Sequence, residues 1–177
     1  MPGRMNLYLT RLQHWDLDWC LRCNRTSQSR WVKQGFCIVS RLGDGMFWYA
    51  IMLGILLIEG RDGALPCLHM LAAGLASLGI YKLIKTGASR PRPHEVSQAI
   101  APGMPPLDRF SFPSGHTLHA VAFSVVALVY YPALVWLLVP FTVLVALSRP
   151  ILGLHYPSDV LAGALIGALI AGISFII

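Results

Sequence analysis

The sequence predicts an all-α membrane bundle of about five transmembrane helices, preceded by an N-terminal interfacial amphipathic helix. Three observations carry this expectation. Apolar residues make up 55% of the 177-residue chain and charged residues only 12%. No Lys, Arg, Asp or Glu occurs from Phe110 to Ser148, and none from Val160 to the C-terminus. A bilayer demands such runs, because a spanning helix needs about 20 mostly apolar residues and must satisfy its backbone internally. The length suits one folding unit, divided by composition into an N-terminal interfacial segment, residues 1–40, and a membrane domain, residues 41–177. The net charge is +6. Many of the basic residues stand before the first span, so the expected partner is a bilayer surface and not nucleic acid.

Residues 5–25 carry Leu7, Leu12, Trp15 and Trp19 among Arg11, Arg22 and Arg25. Tryptophan with arginine is an interfacial composition, which predicts a helix lying on the bilayer rather than a secretory signal peptide. Arg30 and Lys33 follow in a basic segment. Cys20 and Cys23 form a C-x-x-C, but no second pair or nearby His set completes a zinc site. They read as helix-face thiols. Ser40–Gly45 is expected to be a turn that launches the first span, about Met46 to Ile58, and Glu59–Gly63 is a tight polar turn.

The second span is expected from about Ala64 to Ile84. Ala72, Ala73, Ala76 and Ser77 offer small residues four apart for close helix contact. His69 lies about 16 residues before Lys85, or about 24 Å along a helix, so a packing role near the far face is expected. Thr86–Phe112 is expected to be irregular, because Arg90-Pro91-Arg92-Pro93 and the prolines of Ala101–Pro106 interrupt helix. The third span starts near Ser114 and ends at Tyr130-Tyr131-Pro132. The fourth runs from about Ala133 to Ser148, with a break at Arg149, which precedes Pro150. The fifth opens with Pro157, a good first-turn residue, and runs to Ile177. Its Gly163 and Gly167 form a G-x-x-x-G.

Folded by parity, five spans bring Lys85, Arg92, His116, Arg149 and His155 to one membrane face. Lys85, Arg92 and Arg149 are cations there, against Asp159 and the loop acids Glu95 and Asp108. A divalent-metal site wants more carboxylates or histidines, so no metal and no cofactor is expected. Three cations suit a phosphoryl group. Ser114 and Gly115 open a helix, whose free N–H groups attract anions. Two histidines permit double displacement: His155, with Asp159 four residues on to fix its tautomer, as nucleophile, and His116 as acid, then base. His119, one turn beyond His116, reads first as an ordinary helix residue, with support of the site as the lesser alternative, and His94 reads as a loop residue.

Lys85-x6-Arg92-Pro93, Pro113-Ser114-Gly115-His116 and Ser148-Arg149-x5-His155-x3-Asp159 resemble the three signature motifs of the type-2 phosphatidic acid phosphatase superfamily. That group includes membrane lipid phosphatases, polyprenyl-diphosphate phosphatases and vanadium haloperoxidases. The resemblance covers about residues 40–177. It implies a metal-independent membrane phosphatase that passes through a phosphohistidine, with His155, His116 and Asp159 catalytic and Lys85, Arg92, Ser114, Gly115 and Arg149 holding phosphate. The substrate would be a lipid phosphate or diphosphate, with an isoprenoid diphosphate preferred over phosphatidylglycerophosphate or phosphatidate. Many membrane members have three spans before the lysine motif, whereas two are read here. The expected setting is a bacterial inner membrane. Lysine and arginine bias points the active-site face to the cytoplasm, while the resemblance points it outward. A non-catalytic lipid-binding or scaffold protein is the competing class, disfavoured because His116, His155 and Asp159 are all present. A haloperoxidase is a third, disfavoured because those relatives are soluble.

Overall fold

The computed structural model describes the backbone of residues 4–176 and the side chains of residues 11–176. Every regular element among them is helical: α1 (Arg4–Thr26), α2 (Arg30–Arg41), α3 (Phe47–Glu59), α4 (Ala64–Gly87), the short α5 (Pro93–Val96), α6 (Gly115–Tyr130), α7 (Val135–Ile151) and α8 (Pro157–Ile173). Three apolar stretches are long enough to span a bilayer: Arg30–Glu59, Ala64–Gly87 and Pro132–Ile151. α6 and α8 are shorter apolar helices, which brings the bundle to five.

α6 is the centre, with α4, α7 and α8 packed against it. Its contact with α8 is close because Gly163 and Gly167 lie against the α6 backbone. A Cβ there would meet the carbonyl oxygens of Ser114 and Leu118 respectively. The core is built from Trp48 and Met52 of α3, Met70 of α4, Val126 of α6, and Leu138 and Phe141 of α7. Phe47 stacks on Phe141 with centroids 3.6 Å apart, and Trp48 stacks on Phe123 at 5.3 Å. Outward-facing leucines ring this core. Leu161, Leu165 and Leu169 of α8 are 59%, 66% and 63% exposed, an i, i+4, i+8 stripe that water would penalise and lipid accepts.

The first span differs from expectation. Helix begins at Arg30, not Met46, and continues through a π-helical turn at Leu42–Met46 into α3. The Leu42–Gly45 stretch does hold a bend, since Gly45 has φ 140°, a conformation that only glycine adopts readily. α2 forms because no proline interrupts it and because it packs along α7. The expected break at Arg149 is also corrected. α7 runs on to Ile151 with Pro150 inside it. Two contacts outweigh the local preference: Leu152 N–H donates to Ser148 O at 2.9 Å, and the Arg149 side chain is anchored to Ser40 at 2.5 Å.

α1 docks on α7 and α8 with an unexpected face. Leu12, Trp15 and Trp19 are about half exposed, as an interfacial helix requires. The enclosed stripe is Asp16, Cys20 and Asn24, four residues apart and mostly polar. All four cysteines are free, and Cys20 and Cys23 do not pair. His69 lies at the far end of the bundle between Tyr130 and Ser174, bonded to them at 3.0 and 2.8 Å.

Candidate active site

The irregular segment 88–114 and the turn 152–156 lie at one end of the bundle, where they close a cavity of about 540 Å³. Arg92, Asp108, Gly115, His116, Arg149 and His155 line its polar end. Tyr49, Leu71, Leu75 and Leu78, from α3 and α4, make its other side apolar. The volume falls in the range of small-molecule sites, and the mix of apolar wall with a few convergent polar groups is their usual character.

Each charged residue is placed by its own element. Lys85 sits in the last turn of α4. Arg92 precedes α5, where Pro93 occupies the first turn and Glu95 accepts the Arg92 N–H at 2.7 Å. The Arg92 guanidinium is buried, donating to Leu154 O at 2.6 Å, and its Nη1 stands 3.5 Å from His155 Nε2. Arg149 is buried at the end of α7, and its Nε has no hydrogen-bond partner among the described residues. A buried donor left so costs about 1–3 kcal/mol, which an anion in the cavity would relieve.

His155 is 3% exposed and sits in the turn between α7 and α8. Burial pushes its pKa well below the ordinary imidazole value, and Arg149, Arg92 and Lys85 add to the effect. The ring is therefore neutral at neutral pH, the form that carries a free lone pair. Its Nδ1 stands 3.8 Å from Asp159 Oδ2, outside hydrogen-bonding distance. Asp159 is fully enclosed and already engaged: Oδ2 accepts the Tyr156 N–H at 2.9 Å, and Oδ1 accepts Arg90 Nη1 at 2.7 Å.

At the start of α6 the two expected anion-binding residues diverge. Ser114 N–H donates to Asp159 O at 3.0 Å, and its hydroxyl pairs with Thr117. Gly115 lines the cavity, and the Tyr81 ring lies so close that a Cβ would stand 2.8 Å from it. His116 also faces the cavity, with Asp44 of the π-helical turn against its Nε2. His119 lines the wall and bonds Gly115 O through Nδ1 at 2.9 Å. His94 stands apart, bonded to Gly153 O.

Two carboxylates that sequence reasoning did not place belong to this region, Asp44 and Asp16, and the loop acid Asp108, expected at this face, takes a central position there. Asp108 lies between the cations, its Oδ1 at 2.9 Å from Lys85 Nζ and 2.6 Å from Arg92 Nη2, while Tyr81 donates to Oδ2. Burial works to raise its pKa, but the hydrogen bonds from Tyr81 and Lys85 and the charges of Lys85 and Arg92 win, holding it below the usual carboxylate value. An anion thus already stands between two of the cations, Lys85 and Arg92. Among the described residues, no group of three or more His, Cys, Asp or Glu side chains is arranged to hold a metal ion.

Residues 66–177, which contain all three motifs, match the PAP2 superfamily. The chain belongs to that superfamily. It is 37% identical over 125 residues to the undecaprenyl-diphosphatase BcrC of Bacillus subtilis, covering 71% of this chain and 64% of that protein. An undecaprenyl-diphosphatase of Sulfolobus acidocaldarius is 41% identical over 66 residues, 37% of this chain and 32% of that protein. The chain therefore spans less than two thirds of these relatives' lengths. Two solved PAP2-like folds superpose on it, each at 23% identity. They are a transmembrane PAP2-type phosphatidylglycerolphosphate phosphatase of Bacillus subtilis (TM-score 0.72, 99% of this chain, 95% of that one) and Aquifex aeolicus LpxE (0.77, 91% and 94%). The fold is that of an integral membrane PAP2 protein.

Proposed function

We propose that this PAP2 chain is a metal-independent lipid phosphatase that works through a phosphohistidine, and that its preferred substrate is an isoprenoid diphosphate. The observation that carries the reading is the meeting, in one cavity, of a buried His155, His116 and two buried guanidinium groups, Arg92 and Arg149, against an apolar wall. The phosphoryl group enters the cationic end, and its lipid chain leaves along Leu71, Leu75 and Leu78 toward the bilayer. The likeness to two undecaprenyl-diphosphatases favours a polyprenyl chain, ahead of phosphatidylglycerophosphate or phosphatidate.

In the first step His155 Nε2 attacks phosphorus while Nδ1 keeps its proton toward Asp159. The bond to the leaving oxygen breaks, and His116 gives that oxygen a proton. Arg92, Arg149, Lys85 and the Gly115 amide hold the equatorial oxygens as charge builds on them. Ser114 acts through the hydrogen bond that ties α6 to Asp159. In the second step His116 takes a proton from water, the resulting oxygen attacks phosphorus, and the nitrogen–phosphorus bond breaks to release inorganic phosphate.

Phosphate release from a panel of lipid phosphates, measured on the purified chain with EDTA present, tests this directly. Polyprenyl diphosphate is expected to turn over fastest, and orthovanadate is expected to inhibit by occupying the site as a trigonal bipyramid. Activity that is lost in EDTA and restored by magnesium would overturn the metal-independent reaction. No release from any lipid would leave the scaffold reading in its place.

The active-site end is proposed to face the cytoplasm of a bacterial inner membrane. Arg11, Arg22, Arg25, Arg30, Lys33 and Arg41 lie at that end, against Arg61 in the opposite turn. With the native cysteines replaced, a cysteine at Gln98, an exposed loop position, is expected to resist an impermeant maleimide in sealed cells. Ready labelling there would reverse the orientation.

A further inference from the structure

Asp16 lies on α1, 50 residues upstream of the segment that matches the superfamily. It is an aspartate with no exposed surface, on a helix otherwise fitted to an interface. Burying a carboxylate costs several kcal/mol unless donors surround it, and here they do. Ser158 N–H donates to Oδ1 at 3.0 Å, the Ser158 hydroxyl donates to Oδ2, and Arg90 Nη2 donates to Oδ2 at 2.7 Å. The other arm of the same guanidinium, Nη1, reaches Asp159 Oδ1 at 2.7 Å and Ser158 Oγ at 2.7 Å. The Tyr156 ring lies under the guanidinium at 3.9 Å and fixes its plane. One arginine thus bridges two enclosed carboxylates, and one of the two is the neighbour of His155.

We infer that Asp16 is a positioning residue for the reaction: by holding Arg90, it sets where the Asp159 carboxylate stands relative to His155 Nδ1. The inference rests on the phosphohistidine reading above. Asp159 has one oxygen committed to its own helix start, at Tyr156 N–H. The other is committed to Arg90, so the orientation of that guanidinium decides the carboxylate's. Without Asp16 the guanidinium loses the anchor of its Nη2 arm and is held by Asp159, Ser158 and the Tyr156 ring alone. α1 has other anchors besides this contact. Asn24 pairs reciprocally with Ala101, with both bonds at 3.0 Å, and also donates to Ile151 O at 2.9 Å. The helix therefore stays docked when Asp16 is changed.

The test is steady-state kinetics of Asp16→Asn, Arg90→Lys and the double variant, on the full chain in detergent, with the melting temperature of each recorded. Asn keeps the volume but not the charge, and Lys keeps the charge but lacks the planar fork whose two nitrogens reach the two carboxylates. Each single variant is expected to lose about 10- to 100-fold in kcat, the scale of a misplaced catalytic group. KM should stay within about twofold, because Lys85, Arg92 and Arg149 are untouched. The double variant is expected to lose no more than the worse single one, since both changes break one device. Full kcat in Asp16→Asn beside an active unmodified chain would overturn this inference alone, as would losses that multiply in the double variant. If Asp16→Asn does not fold, full kcat in Arg90→Lys does the same. An unmodified chain that releases no phosphate from any lipid overturns the reaction, and this inference with it.

Discussion

His155→Ala is expected to abolish phosphate release, with a loss on the order of 10⁶-fold, the scale that follows removal of a covalent nucleophile. The cavity leaves little room for a substitute. His116 is needed for proton transfer. His119 has one ring nitrogen bonded to Gly115 O, and the nearest carboxylates are engaged, Asp159 by Arg90, Asp108 by Lys85 and Arg92, and Asp44 against His116. The covalent step also has its own signature. Alkaline quenching during turnover of a substrate labelled in the transferred phosphate should trap label on the unmodified protein and none on His155→Ala. Near-normal turnover in that variant would sink the mechanism.

His116→Ala is expected to cost about 10²- to 10⁴-fold with a lipid leaving group, the usual worth of a general acid. The loss should shrink when the leaving group departs as a stable anion, such as a nitrophenolate, because that oxygen needs no proton. The measurement is kcat/KM for an alkyl phosphate and a nitrophenyl phosphate on both proteins. Equal losses on the two substrates would remove His116 from the leaving-group step.

Lys85, His116, Arg149 and His155 were legible in the sequence because each is a charged or titratable residue at or near the end of an apolar stretch, and Arg92 because it lies in the polar loop that follows Lys85. The bilayer dictates those edges, so counting spans sorts the residues onto one end. Arg92, His116, Arg149 and His155 do line one cavity, and Lys85 reaches it through Asp108. The carboxylates were not legible in the same way. Asp44 and Asp16 sit in a polar turn and on a polar helix, where an acid is unremarkable, and Asp108 was expected at this face but without its partners. Their partners lie far off in sequence: His116 for Asp44, Arg90 and Ser158 for Asp16, Lys85 and Arg92 for Asp108. α2 was missed because its basic residues read as a surface segment and the Gly43-Asp44-Gly45 turn signal moved the start of the span downstream, although its apolar residues fall on one helical face. Only its docking on α7, with Ser40 meeting Arg149, makes it a wall of the bundle. The run of α7 through Pro150 was likewise decided by contacts, not by local preference.

Asp108 bears on how the cycle ends. Product departure from a nest of enclosed cations is costly, because it uncovers charges that water does not reach. Here the vacated nest is not bare: a tethered carboxylate settles between Lys85 and Arg92, with Tyr81 as its third hold. On the proposed cycle, inorganic phosphate is traded for Asp108 rather than lost to nothing, so the exchange approaches balance. A tethered competitor acts at high effective concentration and is matched most readily by an anion that is also tethered. Free phosphate has no tether. A lipid phosphate has one, the bilayer itself, so the same loop that eases the product out leaves the membrane-bound substrate its way in.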